Sequence, residues 1–280
     1  MKTIIINASP RKNWNTGQLL KEAQKGAESV GAETEYVDLY DLSFTGCRSC
    51  LACKRKNGRH PGCAWKDELS PLIDRILEAD DLIIGTPIYW GEPTAQFRAL
   101  MERLLFCVTP SERRSYFSGS VNVGLIYTMN APRAYYENTL RPYLDGIEGL
   151  FKSFLHGEVR SYAACDTLQV QDYSRYDMGL FDEAQKKQRR EEQFPADLAA
   201  CFELGRAGKA AIGQPKEAPE PEGEGGYFIT EACIGCGTCA DACPGGCIST
   251  DEVPCVIDRA RCLRCGSCMD ACPVGAIESR

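Results

Sequence analysis

Apolar residues in the first 165 positions of this 280-residue chain follow two alternating rhythms. Residues 3–6, 82–85 and 121–127 are short runs rich in Ile, Val and Leu, as strands buried on both faces of a parallel sheet require. Residues 35–39 and 158–164 read as two further strands. Between the strands, apolar side chains return at helical spacing. One set is Leu19, Leu20, Ala23, Ala27 and Val30; the next is Leu69, Leu72, Ile73, Ile76 and Leu77; a third is Phe97, Leu100, Met101, Leu104 and Leu105. A last helix covers residues 143–155, and Pro132 and Pro142 each stand where a helix can begin. This alternation predicts an α/β fold with a doubly wound parallel sheet.

Residues 181–212 read as one long helix, whose Lys186, Lys187, Arg189, Arg190, Glu191 and Glu192 form a solvated, mixed-charge segment. Residues 214–226 are rich in Pro, Glu and Gly, the composition of a semi-extended, self-repelling linker. The expected organisation is a large domain over 1–213, the linker 214–226, and a small domain over 227–280.

In an open α/β sheet, ligands bind outside the carboxyl ends of the strands that flank the topological switch point. The loop after the first strand carries Ser9, Arg11, Lys12, Asn15 and Thr16 and runs into a helix. A helix N-terminus offers free N–H groups and a positive dipole end to a phosphate; Ser9, Asn15 and Thr16 add neutral donors, and Arg11 or Lys12 adds charge. Neither a G-x-G-x-x-G nor a G-x4-G-K-[ST] pattern is present, which disfavours a dinucleotide fingerprint or a P-loop and suits a flavin monophosphate. A plain turn followed by an N-cap is the competing reading. After the third strand come Thr86, Pro87, Ile88, Tyr89, Trp90 and Gly91, a composition suited to lying against a flat isoalloxazine ring, or to closing the core under a loop. Thr128 and Asn130, after the fourth strand, would supply a third flavin contact. No side chain stands out as an acid-base catalyst; Tyr89 and Trp90 would shape the pocket, and His156 reads as a capping or surface residue.

Seventeen cysteines, most of them in cluster-type spacings, change the picture. Cys233, Cys236, Cys239 and Cys243 precede Pro244, and the pattern returns as Cys262, Cys265, Cys268 and Cys272 before Pro273. In C-x2-C-x2-C-x3-C-P pairs the fourth cysteine of each run ligates the other cluster. We therefore expect one [4Fe-4S] site on Cys233, Cys236, Cys239 and Cys272, and a second on Cys262, Cys265, Cys268 and Cys243. Zinc would need two pairs separated by a longer spacer. A further triplet, Cys47, Cys50 and Cys53, is followed at a distance by Cys63. It is a candidate third site, open between a cubane, zinc and plain thiols, with His60 as the weaker alternative ligand. Cys107, Cys165, Cys201, Cys247 and Cys255 read as packing.

These motifs support two resemblances. Residues 227–280 resemble the bacterial 2[4Fe-4S] ferredoxins. Residues 1–165, through the Ser-Pro-Arg-Lys-x-x-Asn-Thr loop, the cysteine triplet and the Pro-Ile-Tyr-Trp loop, are similar to the NADPH-dependent FMN reductase and iron-sulfur flavoprotein families of the flavodoxin superfamily. The resemblance implies a flavodoxin-like five-stranded sheet in the order 2-1-3-4-5. It also implies FMN phosphate on Ser9, Arg11, Asn15 and Thr16, and the ring bordered by Pro87, Ile88, Tyr89, Trp90 and Gly91. A homodimer or tetramer is implied as well. Iron-sulfur flavoproteins hold a cluster on a compact four-cysteine motif, from which this chain departs by its longer spacing to Cys63.

The rest of the composition narrows the partners. Lys and Arg number 32 against 39 Asp and Glu, a net charge of −7 that argues against nucleic acid and anionic membranes. The N-terminal apolar run is too short for a signal peptide, and no stretch approaches the roughly 18 apolar residues of a membrane span. Iron-bound thiolates would be lost in an oxidising compartment, so a cytoplasm low in oxygen is expected. Because cubanes pass single electrons and a flavin takes one or two, the expected function is an oxidoreductase. It would couple a donor such as ferredoxin, through the clusters and FMN, to a small acceptor or to hydride exchange with NAD(P)H. A non-enzymatic electron carrier or redox sensor, and an NAD(P)H-dependent FMN reductase with dissociable flavin, are the competing expectations.

Overall fold

Strand β1, Lys2–Asn7, is flanked on both sides by parallel neighbours, so every other residue feeds one of two helical layers. A computed structural model describes residues 1–55, 61–109, 116–178, 181–210, 227–243, 246–259, 261–262 and 267–279. The chain divides into two units, Met1–Gln214 and Pro215–Arg280. In the first, β2 (Glu33–Asp38), β1, β3 (Asp81–Tyr89), β4 (Val121–Thr128) and β5 (His156–Ala164) stand side by side and parallel, in that order. This is the expected 2-1-3-4-5 sheet. Ile4, Ile6, Leu82, Ile84, Val123 and Leu125 pack on one side, against α2 (Leu69–Leu77), α3 (Ala95–Val108) and α4 (Arg141–Leu155). Ile5, Ile83 and Ile126 pack on the other, against α1 (Asn15–Ser29). His156 ends α4 in the left-handed region, φ 59°, as the expected capping residue.

Two expectations are corrected. The long helix over 181–212 is broken into α5 (Glu183–Glu192) and α6 (Phe194–Ala210), with Pro195 in the first turn of α6, where its missing N–H costs no helical bond. Its charged face is not simply solvated. Lys186 is buried and donates to the Asn130 carbonyl (3.1 Å) and to Asp166, while Arg189 donates to the Cys165 carbonyl (3.0 Å). The second helix covers α1 at backbone contact. A Cβ on Gly26 would lie 1.9 Å from the Phe202 carbonyl oxygen, and one on Gly205 would lie 1.9 Å from that of Ala23. Residues 211–226, which hold the expected linker, lie outside the described residues.

The second correction concerns β3, which does not end at residue 85. It continues through Pro87, which lies opposite Thr128, to Ile88 and Tyr89, which pair antiparallel with Pro93 and Glu92. Trp90 (φ 54°) and Gly91 (φ 86°) make the two-residue turn, in the positive-φ pair that suits a tight hairpin. The predicted loop is therefore a rigid hairpin tip.

In the second unit, two antiparallel pairs, β6 (Tyr227–Ile229) with β9 (Ile277–Ser279) and β7 (Ile248–Ser249) with β8 (Val256–Ile257), accompany the short helices α7 (Thr238–Asp241) and α8 (Ser267–Ala271). Its core is largely cysteine. Cys239, Cys247, Cys255 and Cys268 are buried with Ile248 and Ile277, and Cys233, Cys243, Cys262 and Cys272 pack against them.

Candidate functional site

The carboxyl ends of β1, β3 and β4 deliver three of the predicted segments to one edge of the sheet. After β1, the Asn7 Oδ1 accepts from the Ser9 amide (3.1 Å) and the Ser9 Oγ from the Arg11 amide (3.2 Å), folding the loop tightly. Among the described residues no side chain caps α1, so its first-turn N–H groups and dipole can meet an anion. Ser9, Asn15 and Thr16 are buried and already bonded within the protein. Asn15 donates to the Leu168 carbonyl (2.8 Å) and accepts from Arg190 (2.7 Å), and the Thr16 hydroxyl meets that of Thr128 at 2.8 Å. With these side chains engaged within the protein, a phosphate here would find its donors mainly on the backbone.

Arg11 donates to the Gln169 carbonyl, and Lys12 pairs with Asp41, whose hydrogen bond holds the ammonium pKa above its ordinary value. Beside them opens a cavity of about 490 Å³, lined by Arg11, Lys12, Trp14, Gln169, Arg175 and Tyr176 among others. Ser9, Thr16, Thr128 and Asn130 are not among its described lining residues, nor is the hairpin tip. Trp90 projects fully into solvent and Tyr89 is partly exposed. Burial pushes the Tyr89 phenol above its usual pKa, opposed by the Arg11 charge. The Asn130 Oδ1 is buried with no hydrogen-bond partner among the described residues, an acceptor that a flavin N–H suits. An uncapped helix, an aromatic hairpin tip and an orphan acceptor at the carboxyl ends of β1, β3 and β4 fit an FMN.

A second cavity is ringed by Cys47, Cys50, Cys53 and Cys63. The triplet is held by an irregular backbone, with Ser49 and Leu51 both at positive φ and Lys54 tied to the Phe106 and Thr109 carbonyls. Cys63, despite its distance in sequence, comes to the same cavity, whereas His60 lies outside the described residues. The donor set, four thiols around one space, fits a cubane. Two residues in the lining had no sequence signal: Cys107, whose thiol burial pushes up to about 12 and which donates to the Leu104 carbonyl, and Arg103.

In the C-terminal unit, Cys233, Cys236, Cys239 and Cys272 line one cavity together, the set expected from crossed ligation. Backbone amides already face their sulfurs, Gly235 toward Cys233 (3.4 Å) and Ala276 toward Cys272 (3.2 Å). Hydrogen bonds from Thr238 hold the Cys236 thiol below its ordinary pKa. Cys255 lines the same cavity, and Cys247 lies with its Sγ 3.4 Å from that of Cys243; both are buried, as packing residues are, beside thiols predicted to be ligands. Cys243, Cys262 and Cys268 share the core of the unit, and Cys265 lies outside the described residues.

The sequence signature of the NADPH-dependent FMN reductase family matches residues 1–149, and that of the 4Fe-4S dicluster domain matches residues 232–276. The chain belongs to the NADPH-dependent FMN reductase family. Among its relatives is an iron-sulfur flavoprotein of Methanocaldococcus jannaschii, 34% identical over 124 residues, which are 44% of this chain and 62% of that protein. Another, from Methanosarcina thermophila, is 28% identical over 133 residues, 48% of this chain and 65% of that one. The chain thus spans less than two thirds of the length of either. An azoreductase from Bacillus anthracis superposes with a TM-score of 0.51 at 14% identity, over 74% of this chain and 99% of that one, a likeness of fold alone. The FMN reductase fold and the dicluster domain therefore stand in one polypeptide, as expected. Among the described residues, no helix is long and apolar enough to cross a membrane.

Proposed function

We propose that this chain is an FMN-dependent iron-sulfur oxidoreductase that takes electrons singly from a donor such as ferredoxin. It delivers them in pairs to a small acceptor or exchanges hydride with NAD(P)H. The observation that carries the reading is the meeting, in one chain, of an FMN reductase domain with two cysteine-lined cavities, each of which gathers four cysteines of the predicted ligand sets. In this reading the first turn of α1, with Ser9, Arg11, Lys12, Asn15 and Thr16, holds the FMN phosphate. Pro87, Ile88, Tyr89, Trp90 and Gly91 border the ring, with Thr128 and Asn130 on its other side. Cys47, Cys50, Cys53 and Cys63 hold a third cluster, in addition to the two of the C-terminal unit. Bound flavin supplies the exchange between one- and two-electron chemistry. The protein's own part is to fix the loops. Arg190 and the Leu168 carbonyl brace Asn15, and the Trp90–Gly91 turn closes the hairpin that carries the aromatic tip.

Anaerobic titration with dithionite, followed by flavin and cluster absorbance, tests the coupling. Electrons placed on the clusters should reappear on the flavin, and the reduced protein should turn over an acceptor or NAD(P)+ repeatedly. Clusters that reduce while the flavin stays oxidised would contradict electron exchange, and exchange without turnover would leave a carrier in place of an enzyme.

A further inference from the structure

The cavity of Cys47, Cys50, Cys53 and Cys63 has a cation in its wall that no ligand pattern anticipates. Arg103 sits in the apolar stripe of α3, between Leu100 and Leu104, and its side chain is only 2% exposed. A buried guanidinium is costly unless its donors are met. Four bonds meet them in part: Nη1 donates to the Thr45 carbonyl (3.1 Å) and to Asp67, and Nη2 donates to the Ser70 hydroxyl (2.7 Å) and to the Cys63 sulfur (3.3 Å). Nε, equally buried, has no acceptor among the described residues. Thr45 and Asp67 belong to the segments that enter and leave the cysteine region, so the guanidinium is held in one orientation, with one donor already on a candidate ligand and another unspent.

Resting on the reading that these four cysteines hold a cubane, we infer that Arg103 sets the reduction potential of that cluster through its bond to the Cys63 sulfur. One-electron reduction adds negative charge to the cluster and its thiolates. No covalent bond forms or breaks, and the guanidinium, protonated throughout, exchanges no proton. A charge-assisted N–H···S bond strengthens as the sulfur becomes more negative, so Arg103 favours the reduced state and raises the potential. Arg103 is a positioning and tuning residue, not a ligand.

The test uses the full chain, purified without oxygen, and its Arg103→Gln and Arg103→Lys variants. Irons are counted, and each cluster is titrated with its reduced-state electron paramagnetic resonance signal as the readout. The unmodified protein should hold about twelve irons. Arg103→Gln should keep them and shift the reduction equilibrium of this one cluster at least tenfold toward the oxidised form, about 59 mV more negative, leaving the C-terminal clusters unmoved. Arg103→Lys, with the charge kept and the fork lost, should fall between. Twelve irons at an unchanged potential in Arg103→Gln would overturn the inference while leaving the third cluster standing. Loss of that cluster from both variants would also overturn it, because Arg103 would then be needed for assembly alone. Eight irons in the unmodified protein would instead remove the third cluster itself, and the inference with it.

Discussion

Replacing Cys272 with alanine should empty the site built on Cys233, Cys236 and Cys239, although Cys272 belongs by sequence to the other repeat. Its thiol lines the cavity of that first triplet, and the Ala276 amide already donates to it at 3.2 Å. A cubane with three cysteines has one iron unbound by protein and is labile to loss. Iron should fall by about four per chain. The unit should also lose stability, because its core is made largely of these cysteines and a small domain has little other apolar surface to bury. Alkylation under anoxic conditions, read by peptide mass, should then mark Cys233, Cys236 and Cys239 and spare Cys262 and Cys268. Marking of Cys262 and Cys268 instead would show that each run of four cysteines serves its own cluster.

Gly17→Ala should release FMN from a chain that still folds. Gly17 lies in the first turn of α1, and a Cβ there would stand 1.7 Å from the carbonyl oxygen of Lys12 and 2.8 Å from its carbonyl carbon. Both atoms are backbone, so the phosphate loop itself must move; overpacking of this kind costs about 1–3 kcal/mol. Because the donors of the cradle are backbone groups, a displaced loop loses several contacts together, and flavin affinity should fall at least tenfold, equivalent to about 1.4 kcal/mol. Gel filtration followed by the flavin-to-protein absorbance ratio measures the loss, and circular dichroism checks the fold. A folded variant that keeps FMN as tightly as the parent would place the phosphate elsewhere.

Elements whose cause is local could be read from the sequence. The Ile-rich β1, the helical stripe of α2 and the position of the loops after β1, β3 and β4 follow from periodicity and from the α/β switch-point rule. The repeat pattern suggested a crossed ligand set because cluster geometry leaves little freedom in spacing, and Cys272 does line the cavity of the first triplet. Features created by tertiary contact were hidden. Gly26 and Gly205 look like weak helix residues until α6 is seen crossing α1 at backbone distance. The run from Lys186 to Arg190 has the composition of a solvated face, yet Lys186 and Arg190 reach back to Asp166 and Asn15. The apolar run suggested that β3 ended at Gly85, but the strand continues past Pro87 to Tyr89. Arg103, in an apolar stripe, gave no sign that its guanidinium would meet Cys63 across 40 positions of chain.

The count of iron, acid-labile sulfide and flavin in the intact chain, purified without oxygen, tests the central claim most directly. One FMN with about twelve irons and twelve sulfides per chain is the predicted result. A colourless protein, with neither flavin nor sulfide, would contradict the account as a whole.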